Sequence, residues 1–208
     1  EIKKMINSVF EPIVILNSAR PIITSAYGPE ISFIDDLIYI SYEDENEGVF
    51  LLKSSNGGAN FSDSIRVDNI NNFAILPNID IKTDLNPVVS FTRINSNWSQ
   101  VSQVISNSTD GGQTFLPDVS TSAITPYQPC ECCFSKVVSE GNIQVSIFRN
   151  NENNIRNFYA SVSYDDGQSF TDYLEIDLLD WNINACPDAG ADAYLKNGKI
   201  YISYRSGS

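Results

Sequence analysis

The chain alternates apolar and polar residues, in the manner of β-strands, along most of its length. Segments 48–55 (GVFLLKSS), 98–106 (WSQVSQVIS) and 155–163 (IRNFYASVS) are rich in Val, Ile, Phe and Tyr. A helix would instead repeat its apolar residues three and four positions apart, between capping residues, and no segment shows this pattern. The sequence therefore predicts a protein that is nearly all β.

A turn motif recurs three times with a nearly constant spacing. The segments SSNGGANF, STDGGQTF and SYDDGQSF begin at Ser54, Ser108 and Ser163, so the repeat is 54 and then 55 residues long. In each segment an Asp or Asn side chain can cap turn amides, a glycine can adopt a positive φ, and a phenylalanine can return into the core. We interpret these positions as structural: Asn56, Gly58 and Phe61; Asp110, Gly112 and Phe115; Asp165, Gly167 and Phe170.

A second set of segments repeats with a similar period. LIYISYE, PVVSFTR, IQVSIFR and KIYISYR end at Glu43, Arg93, Arg149 and Arg205, which are 50, 56 and 56 residues apart. Each repeat thus holds about four strands, and the turn motif joins the third strand to the fourth. Such a sheet cannot bury both of its faces alone, and repeating it around an axis is the usual all-β solution. We predict a β-propeller of four-stranded antiparallel blades.

The three turns resemble the Asp-box, also called the BNR repeat, of sialidase-like β-propellers. The 208 residues hold about four repeats. We expect blade boundaries near 18–61, 62–115, 116–170 and 171–208, with residues 1–17 as the last strand of a preceding blade. Because sialidase-like propellers typically have six blades, the resemblance implies that residues 1–208 are one incomplete domain, completed by further sequence or by a partner chain. A closed four-bladed ring is the alternative.

Composition excludes several classes of function. The chain carries 13 Lys and Arg against 26 Asp and Glu, a net charge of −13 that would repel nucleic acids and anionic lipid surfaces. It contains no histidine, so Ser-His-Asp catalysis and histidine-ligated zinc are impossible within it. It has no run of about 18 apolar residues that would insert into a membrane. No EF-hand spacing indicates calcium, and we expect no cofactor.

The last position of the second strand is charged in all four repeats. If the blades are equivalent, these residues form a ring around the axis: Glu43, Arg93, Arg149 and Arg205. The resemblance implies substrate binding, because sialidases hold the carboxylate of sialic acid with three arginines, whose planar forks suit carboxylates. Arg20, in SARPII, is a further candidate, since this segment is similar to the Arg-Ile-Pro segment of sialidases without its Ile. The alternative is that each arginine pairs with a neighbouring acid.

A sialidase also needs a tyrosine nucleophile activated by a glutamate, and an aspartate as general acid/base. No motif identifies these residues, so the catalytic set stays unknown. Asp188, at the axial end of a first strand, and Asp44, beside Glu43, are the acids best placed for catalysis. The alternative for both is an ordinary loop or ion-pair residue.

The four cysteines form a cluster of three and a fourth further along the chain: Cys130, Cys132, Cys133 and Cys186. Their even number favours disulfides in an exported protein. Three connectivities are possible, and the equivalent positions of Cys130 and Cys186 in successive repeats suit a bridge between blades, with Cys132 and Cys133 left to pair vicinally. The alternative to disulfides is a thiolate cage for copper or zinc. We expect disulfides and no metal.

The cysteines sharpen the resemblance. The chain looks like a bacterial group of exported BNR-repeat proteins that have a Cys-x-Cys-Cys segment, an Arg-Asn pair, an Asp-box and a Trp-x-x-x-x-Cys-Pro segment. The match rests on nine positions: Cys130, Cys132, Cys133, Arg149, Asn150, Arg156, Trp181, Cys186 and Pro187. It implies an extracytoplasmic, bacterial protein. Asn157 departs from the pattern, since an Asp often follows the second Arg.

Three functions remain open from the sequence. The first, which we favour, is an extracytoplasmic module that binds a glycan or a protein through its loop face. The second is a sialidase-type glycoside hydrolase whose remaining catalytic residues lie in blades outside this chain. The third is a structural subunit of a cell-surface complex, because incomplete blades present unpaired strand edges that favour pairing with another chain.

Overall fold

A computed structural model describes residues 2–10, 14, 16, 19–24, 27–45, 48–68 and 73–207. Every regular element within these ranges is a β-strand, and all strand pairs are antiparallel, which confirms the all-β prediction. The described residues contain no helix that is long and apolar enough to cross a membrane. The predicted strand over residues 10–17 falls largely outside the described residues.

Seventeen strands are formed by these described ranges, and fifteen of them belong to four successive sheets. A short hairpin comes first, β1 (Met5–Ile6) and β2 (Val9–Phe10). The first sheet holds β3 (Glu30–Ile34), β4 (Leu37–Asp44), β5 (Gly48–Ser54) and β6 (Ile65–Arg66), and the second holds β7 (Phe73–Ile81), β8 (Pro87–Ile94), β9 (Val101–Asn107) and β10 (Val119–Ser120). The third holds β11 (Gln128–Pro129), β12 (Lys136–Glu140), β13 (Ile143–Asn151), β14 (Phe158–Ser163) and β15 (Asp172–Glu175), and the fourth holds β16 (Asp192–Lys196) and β17 (Lys199–Ser203).

The first three sheets follow the predicted order of four strands. In the first two sheets, neighbours in sequence are neighbours in space. In the third, β12 pairs with the first half of β13, and the additional strand β11 pairs with its end, where Gln128 faces Asn151. Each of these sheets ends with a short strand that follows the turn motif. The sheets therefore extend beyond the phenylalanines near which we placed the blade boundaries.

The turn motifs are held by hydrogen bonds between neighbouring residues. Gly112 has a φ of 80°, and its N–H donates to the hydroxyl of Ser108 at 2.8 Å. One carboxylate oxygen of Asp110 accepts the backbone N–H groups of Gln113 and Thr114, both at 2.9 Å. The bond from the glycine to the serine hydroxyl recurs in the other two motifs, and so does the bond from the fourth residue after Asn56 and after Asp165 to their side-chain oxygens. The three phenylalanines of the motif each pack against a hydrophobic cluster.

The hydrophobic core lies between neighbouring sheets. Between the first and second sheets, one cluster includes Tyr39, Leu51, Val89 and Phe91, all fully buried. Val88, Ile105, Val137 and Phe170 fill the space between the second and third sheets, and Ile147, Phe158 and Leu195 fill that between the third and fourth. Each fully buried side chain of this size stabilises the fold by about 1.5–3 kcal/mol. The sheets are therefore held face to face.

The first strands of the four sheets lie side by side. In order of contact they are β3, β7, β12 and β16. Residues of all four strands line a common channel, among them Ser32, Asp80, Ser139 and Tyr194. Three of these strands begin at one end of the channel, at Glu30, Lys136 and Asp192, next to Asn78 of β7.

Candidate functional site

An open cleft of about 710 Å³ lies at the end of the channel where the first strands begin. Three of the four strands begin with a polar residue of the cleft, Glu30, Lys136 and Asp192, and β7 contributes Asn78, which directly follows its bulge. The remaining wall includes Tyr27, Phe134, Tyr204 and Arg205, which come from the segments that flank the strands. The cleft thus combines hydrogen-bonding groups, charges and aromatic rings.

Asn78 joins the first strands of three sheets. Its side-chain NH₂ donates to Glu30 Oε2 at 3.2 Å, and its side-chain oxygen accepts the backbone N–H of Val137 at 3.1 Å. A bulge in β7 between Ile75 and Asn78 shifts the register next to this position. Asn78 is buried, so its role is to fix the floor of the cleft.

The two carboxyl groups of the cleft differ in proton affinity. Burial by the surrounding protein raises the pKa of Glu30, and Lys136 and Asn78 offset only part of this effect. Burial also acts on Asp192, but its hydrogen bond and ion pair with Lys136, at 3.2 Å, outweigh it and lower the pKa. Glu30 therefore holds its proton to a higher pH than Asp192 does.

Aromatic rings flank these polar groups. The Tyr27 ring packs against Phe134 at a centroid distance of 5.8 Å, and burial and the negative charge of Glu43 raise the pKa of Tyr27. Tyr204 packs against Phe158 at 5.4 Å and donates from its hydroxyl to the carbonyl oxygen of Ile176. Both tyrosines are held in place while part of each side chain remains exposed.

The structure gives the three predicted arginines different surroundings. Arg93 pairs with Asp118 at 2.6 Å. Arg149 is fully buried, pairs with Asp177 and donates to the carbonyl oxygens of Arg156 and Arg205. These two follow the alternative we gave, in which arginines pair with neighbouring acids.

Arg205 is exposed, lies over the Trp181 ring at 5.6 Å and lines the cleft. Arg149 has no exposed guanidinium that could contact a carboxylated sugar in this structure. A grip by all three arginines therefore finds no support in this arrangement.

The other predicted candidates lie outside the lining of the cleft. Glu43 accepts the backbone N–H of Leu76, which has a φ of 54°, and so stabilises the bulge in β7. Arg20 lies 3.7 Å from the buried Asp44. Asp188 is exposed, with Oδ1 3.1 Å from the sulfur of Cys186.

Sequence reasoning missed the four polar residues of the cleft floor, although a signal was present. Glu30, Lys136 and Asp192 each stand seven positions before the first residue of the following strand, at Leu37, Ile143 and Lys199. The position is polar in all four repeats, but in β7 it belongs to Asp80, which lines the channel and not the cleft. Asn78 escapes the rule because β7 is longer and contains the bulge.

The cysteines form disulfides, with a pairing that differs from the one we considered. Cys130 bonds to Cys133, and Cys132 bonds to Cys186. The bridge between Cys130 and Cys186, one of the three connectivities that the sequence left open, does not form, because Cys130 and Cys133 close a turn in which the N–H of Cys133 donates to the Cys130 carbonyl. Cys132 thereby reaches the segment before β16. Disulfides are typical of oxidising, extracytoplasmic environments.

Comparisons with known proteins identify the fold. The chain is similar to a protein of unknown function from Dyadobacter fermentans, with a TM-score of 0.60, 13% identity, and coverage of 85% of this chain and 56% of that one. An α-L-arabinanase from Penicillium chrysogenum has a TM-score of 0.58 and 14% identity, with coverage of 86% of this chain and 57% of that one. An α-L-arabinofuranosidase from Clostridium thermocellum has a TM-score of 0.56 and 12% identity, with coverage of 86% of this chain and 60% of that one. This is a β-propeller fold.

The β-propeller chain spans less than two thirds of the length of these three structures. No protein-family model matches it. No curated protein matches its sequence either. At this level of identity the similarity shows the fold alone.

Proposed function

We propose that this chain is part of an extracytoplasmic β-propeller that binds a carbohydrate in the cleft at the end of its channel. The observation that supports the proposal is the cleft itself, in which four first strands direct Glu30, Asn78, Lys136 and Asp192 toward one space beside exposed tyrosines. Carboxylate, amide and ammonium groups suit sugar hydroxyls, and aromatic faces suit the apolar faces of sugar rings. Several structures of similar fold bear the names of enzymes that act on polysaccharides.

Calorimetric titration tests the proposal with oligosaccharides of arabinan, xylan and ulvan, and with a sialoside. We expect binding of at least one of these probes and a loss of affinity of at least about tenfold for Asp192→Asn and for Tyr204→Ala, because each removes a direct contact. Asp172→Asn makes the same change as Asp192→Asn on the outer strand β15 and should bind as the native chain does. The proposal fails if Asp192→Asn and Tyr204→Ala bind as tightly as the native chain, or if no probe binds.

A glycoside hydrolase is the second candidate, favoured by the opposite pKa shifts of Glu30 and Asp192. A carboxyl that keeps its proton beside one that stays ionised is the arrangement of acid and base in glycosidases. Fluorogenic arabinosides, xylosides and sialosides test this candidate. Turnover that disappears in Glu30→Gln while that variant still binds the substrate, and that also disappears in Asp192→Asn, would establish hydrolysis. We expect the chain to act as a binding protein and not to hydrolyse the sialoside.

A partner sheet is the third proposal. The fourth sheet has only β16 and β17 among the described strands, and the side chains of Tyr194 and Tyr201 are both 62% exposed. We propose that a further β-sheet of the propeller covers this surface, since an uncovered strand edge with apolar side chains favours pairing. Light scattering of the 208-residue chain should show association that Tyr201→Lys reduces. A chain that stays monomeric at high concentration would contradict the proposal.

A further inference from the structure

The sulfur atoms of all four cysteines converge on one point. Every pair of the four sulfurs lies within 4.8 Å. Sulfurs that belong to different disulfides are as close as 3.6 Å, the distance between Cys130 Sγ and Cys132 Sγ. Two disulfides do not require such proximity, because each bridge needs only its own partner. The two disulfides therefore do not explain why all four sulfur atoms lie so close together.

The spacing of the sulfurs is close to that of a tetrahedral metal site. Zinc bound by four thiolates has Zn–S distances of about 2.3 Å, which gives S–S edges of about 3.8 Å. Reduction would release the two bonded sulfur pairs, which would then lengthen to this edge, and the longest edges would contract by no more than about 1 Å. We propose that, in the reduced protein, Cys130, Cys132, Cys133 and Cys186 bind one thiophilic d¹⁰ metal ion such as Zn²⁺.

A cation adjoins the sulfur cluster. Arg156 is buried, and its Nη1 donates to the sulfur of Cys130 at 3.0 Å. A Zn²⁺ ion with four thiolates carries a net charge of −2, so a guanidinium beside the cluster compensates part of it. Hydrogen bonds to ligand atoms from neighbouring groups are a regular feature of metal sites. The Nη1 of Arg156 also lies 3.9 Å from the half-exposed carboxylate of Glu131, so its positive charge is shared between this acid and the sulfur cluster.

The disulfide form converts to the zinc-bound form in two steps, reduction of the disulfides and then exchange of thiol protons for the metal ion. Two dithiol reductant molecules each supply two electrons and two protons, become cyclic disulfides, and convert the two protein disulfides to four thiols. One Zn²⁺ then replaces four protons, which are released to solvent, and forms four Zn–S bonds. Metal binding thus requires reduction first.

The metal would hold the same segments together as the disulfides do. Cys132 and Cys186 connect the segment before β12 to the segment before β16. Phe134 and Gly190, close to these cysteines in sequence, line the cleft and contact each other. The cluster therefore supports one wall of the cleft in either form.

Zinc titration of the reduced protein tests this proposal. The chain is reduced with a phosphine under argon, since a phosphine offers no competing thiolates, and Zn²⁺ is titrated against a chromophoric chelator. We expect one Zn²⁺ per chain, a dissociation constant of about 10 nM or lower, and protection of all four thiols from a thiol reagent. Co²⁺ in place of Zn²⁺ should give the absorption spectrum of a tetrahedral thiolate site.

Variants separate a four-cysteine site from adventitious binding. Cys186→Ser should weaken zinc binding by at least about tenfold, and Arg156→Met should weaken it by about 10–100-fold. Asp188→Asn changes a nearby group that is not a ligand and should leave the stoichiometry at one. If reduction unfolds the chain, recovery of its circular dichroism spectrum on addition of Zn²⁺ supports the site. Reduced protein that retains no zinc, or zinc affinity that Cys186→Ser leaves unchanged, overturns the proposal.

Discussion

The guanidinium of Arg149 lies 4.0 Å from the carboxylate of Asp177, and neither side chain has any exposed surface. Arg149 also stacks over the Phe158 ring at 3.8 Å and donates to the carbonyl oxygen of Arg205, beyond the end of β17. Burial lowers the pKa of Arg149 to about 10, so the side chain still carries its charge at neutral pH. Through its hydrogen bond to Arg205, Arg149 therefore connects the third sheet to the segment that follows the fourth.

Replacement of Arg149 by Met should destabilise the protein strongly. The substitution removes the partner of Asp177 and leaves a buried carboxylate uncompensated, which costs about 3–5 kcal/mol of the free energy of unfolding. Urea denaturation measures this change. The double variant Arg149→Met/Asp177→Asn should recover part of the loss, because it removes the stranded charge. A single variant within about 1 kcal/mol of the native chain would contradict this account.

A second prediction compares two glycines with positive φ. Gly167 has a φ of 78°, and an added Cβ would lie 2.6 Å from Asn107 Nδ2 and 2.8 Å from Ile105 Cδ1. Gly141 has a φ of 60° with nothing within 4 Å of an added Cβ, so it reports the backbone cost alone. We expect Gly141→Ala to cost about 1–2 kcal/mol and Gly167→Ala about 1–3 kcal/mol more. Equal losses in thermal unfolding would show that the turn has room for a side chain.

The turn carboxylates predict how stability depends on acid. Hydrogen bonds from Thr114 to Asp110, and from Ser169 to Asp165, lower both pKa values to about 2. A lowered pKa adds stability above the pKa of the unfolded carboxyl, about 4, and this stability disappears as the pH falls through about 2. Urea midpoints between pH 5 and pH 2 should therefore decrease, and less steeply in the double variant Asp110→Asn/Asp165→Asn. Asp172→Asn serves as the control. If the urea midpoint of the double variant decreases with acid as steeply as that of the native chain, the acid sensitivity comes from other carboxyl groups.

The repeated strands and turns were predictable because their causes are local. The alternation around Ser54, Ser108 and Ser163, and the hydrogen bonds that follow each serine, depend on residues within a few positions. The environment of Arg149 was not predictable in this way, since its partner Asp177 is 28 residues away in sequence and its burial depends on the fourth sheet. The cleft is harder still, because its polar residues differ in type and come from four sheets.

The final prediction concerns Glu30, whose pKa is raised by burial at the cleft. Because the pKa is raised, the folded protein binds this proton more tightly than the unfolded chain does. The contribution of Glu30 to the free energy of unfolding is therefore complete below the pKa of the unfolded residue, and it decreases as the pH rises through the pKa of the folded protein. Glu30→Gln cannot ionise and can still accept the hydrogen bond from Asn78, so it should be more stable than the native chain at pH 7. The gain should stay under about 1 kcal/mol, because the side chain still contacts solvent. The two proteins should converge near pH 4.

Asp192→Asn should behave in the opposite way, because the lowered pKa of Asp192 adds stability at neutral pH that is lost in acid. Thermal unfolding at pH 4 and pH 7 measures the effect of Glu30→Gln, and thermal unfolding at pH 7 and well below pH 4 measures the effect of Asp192→Asn. A Glu30→Gln variant that is less stable than the native chain at pH 7 would mean that the ionised carboxylate is needed to hold the cleft together.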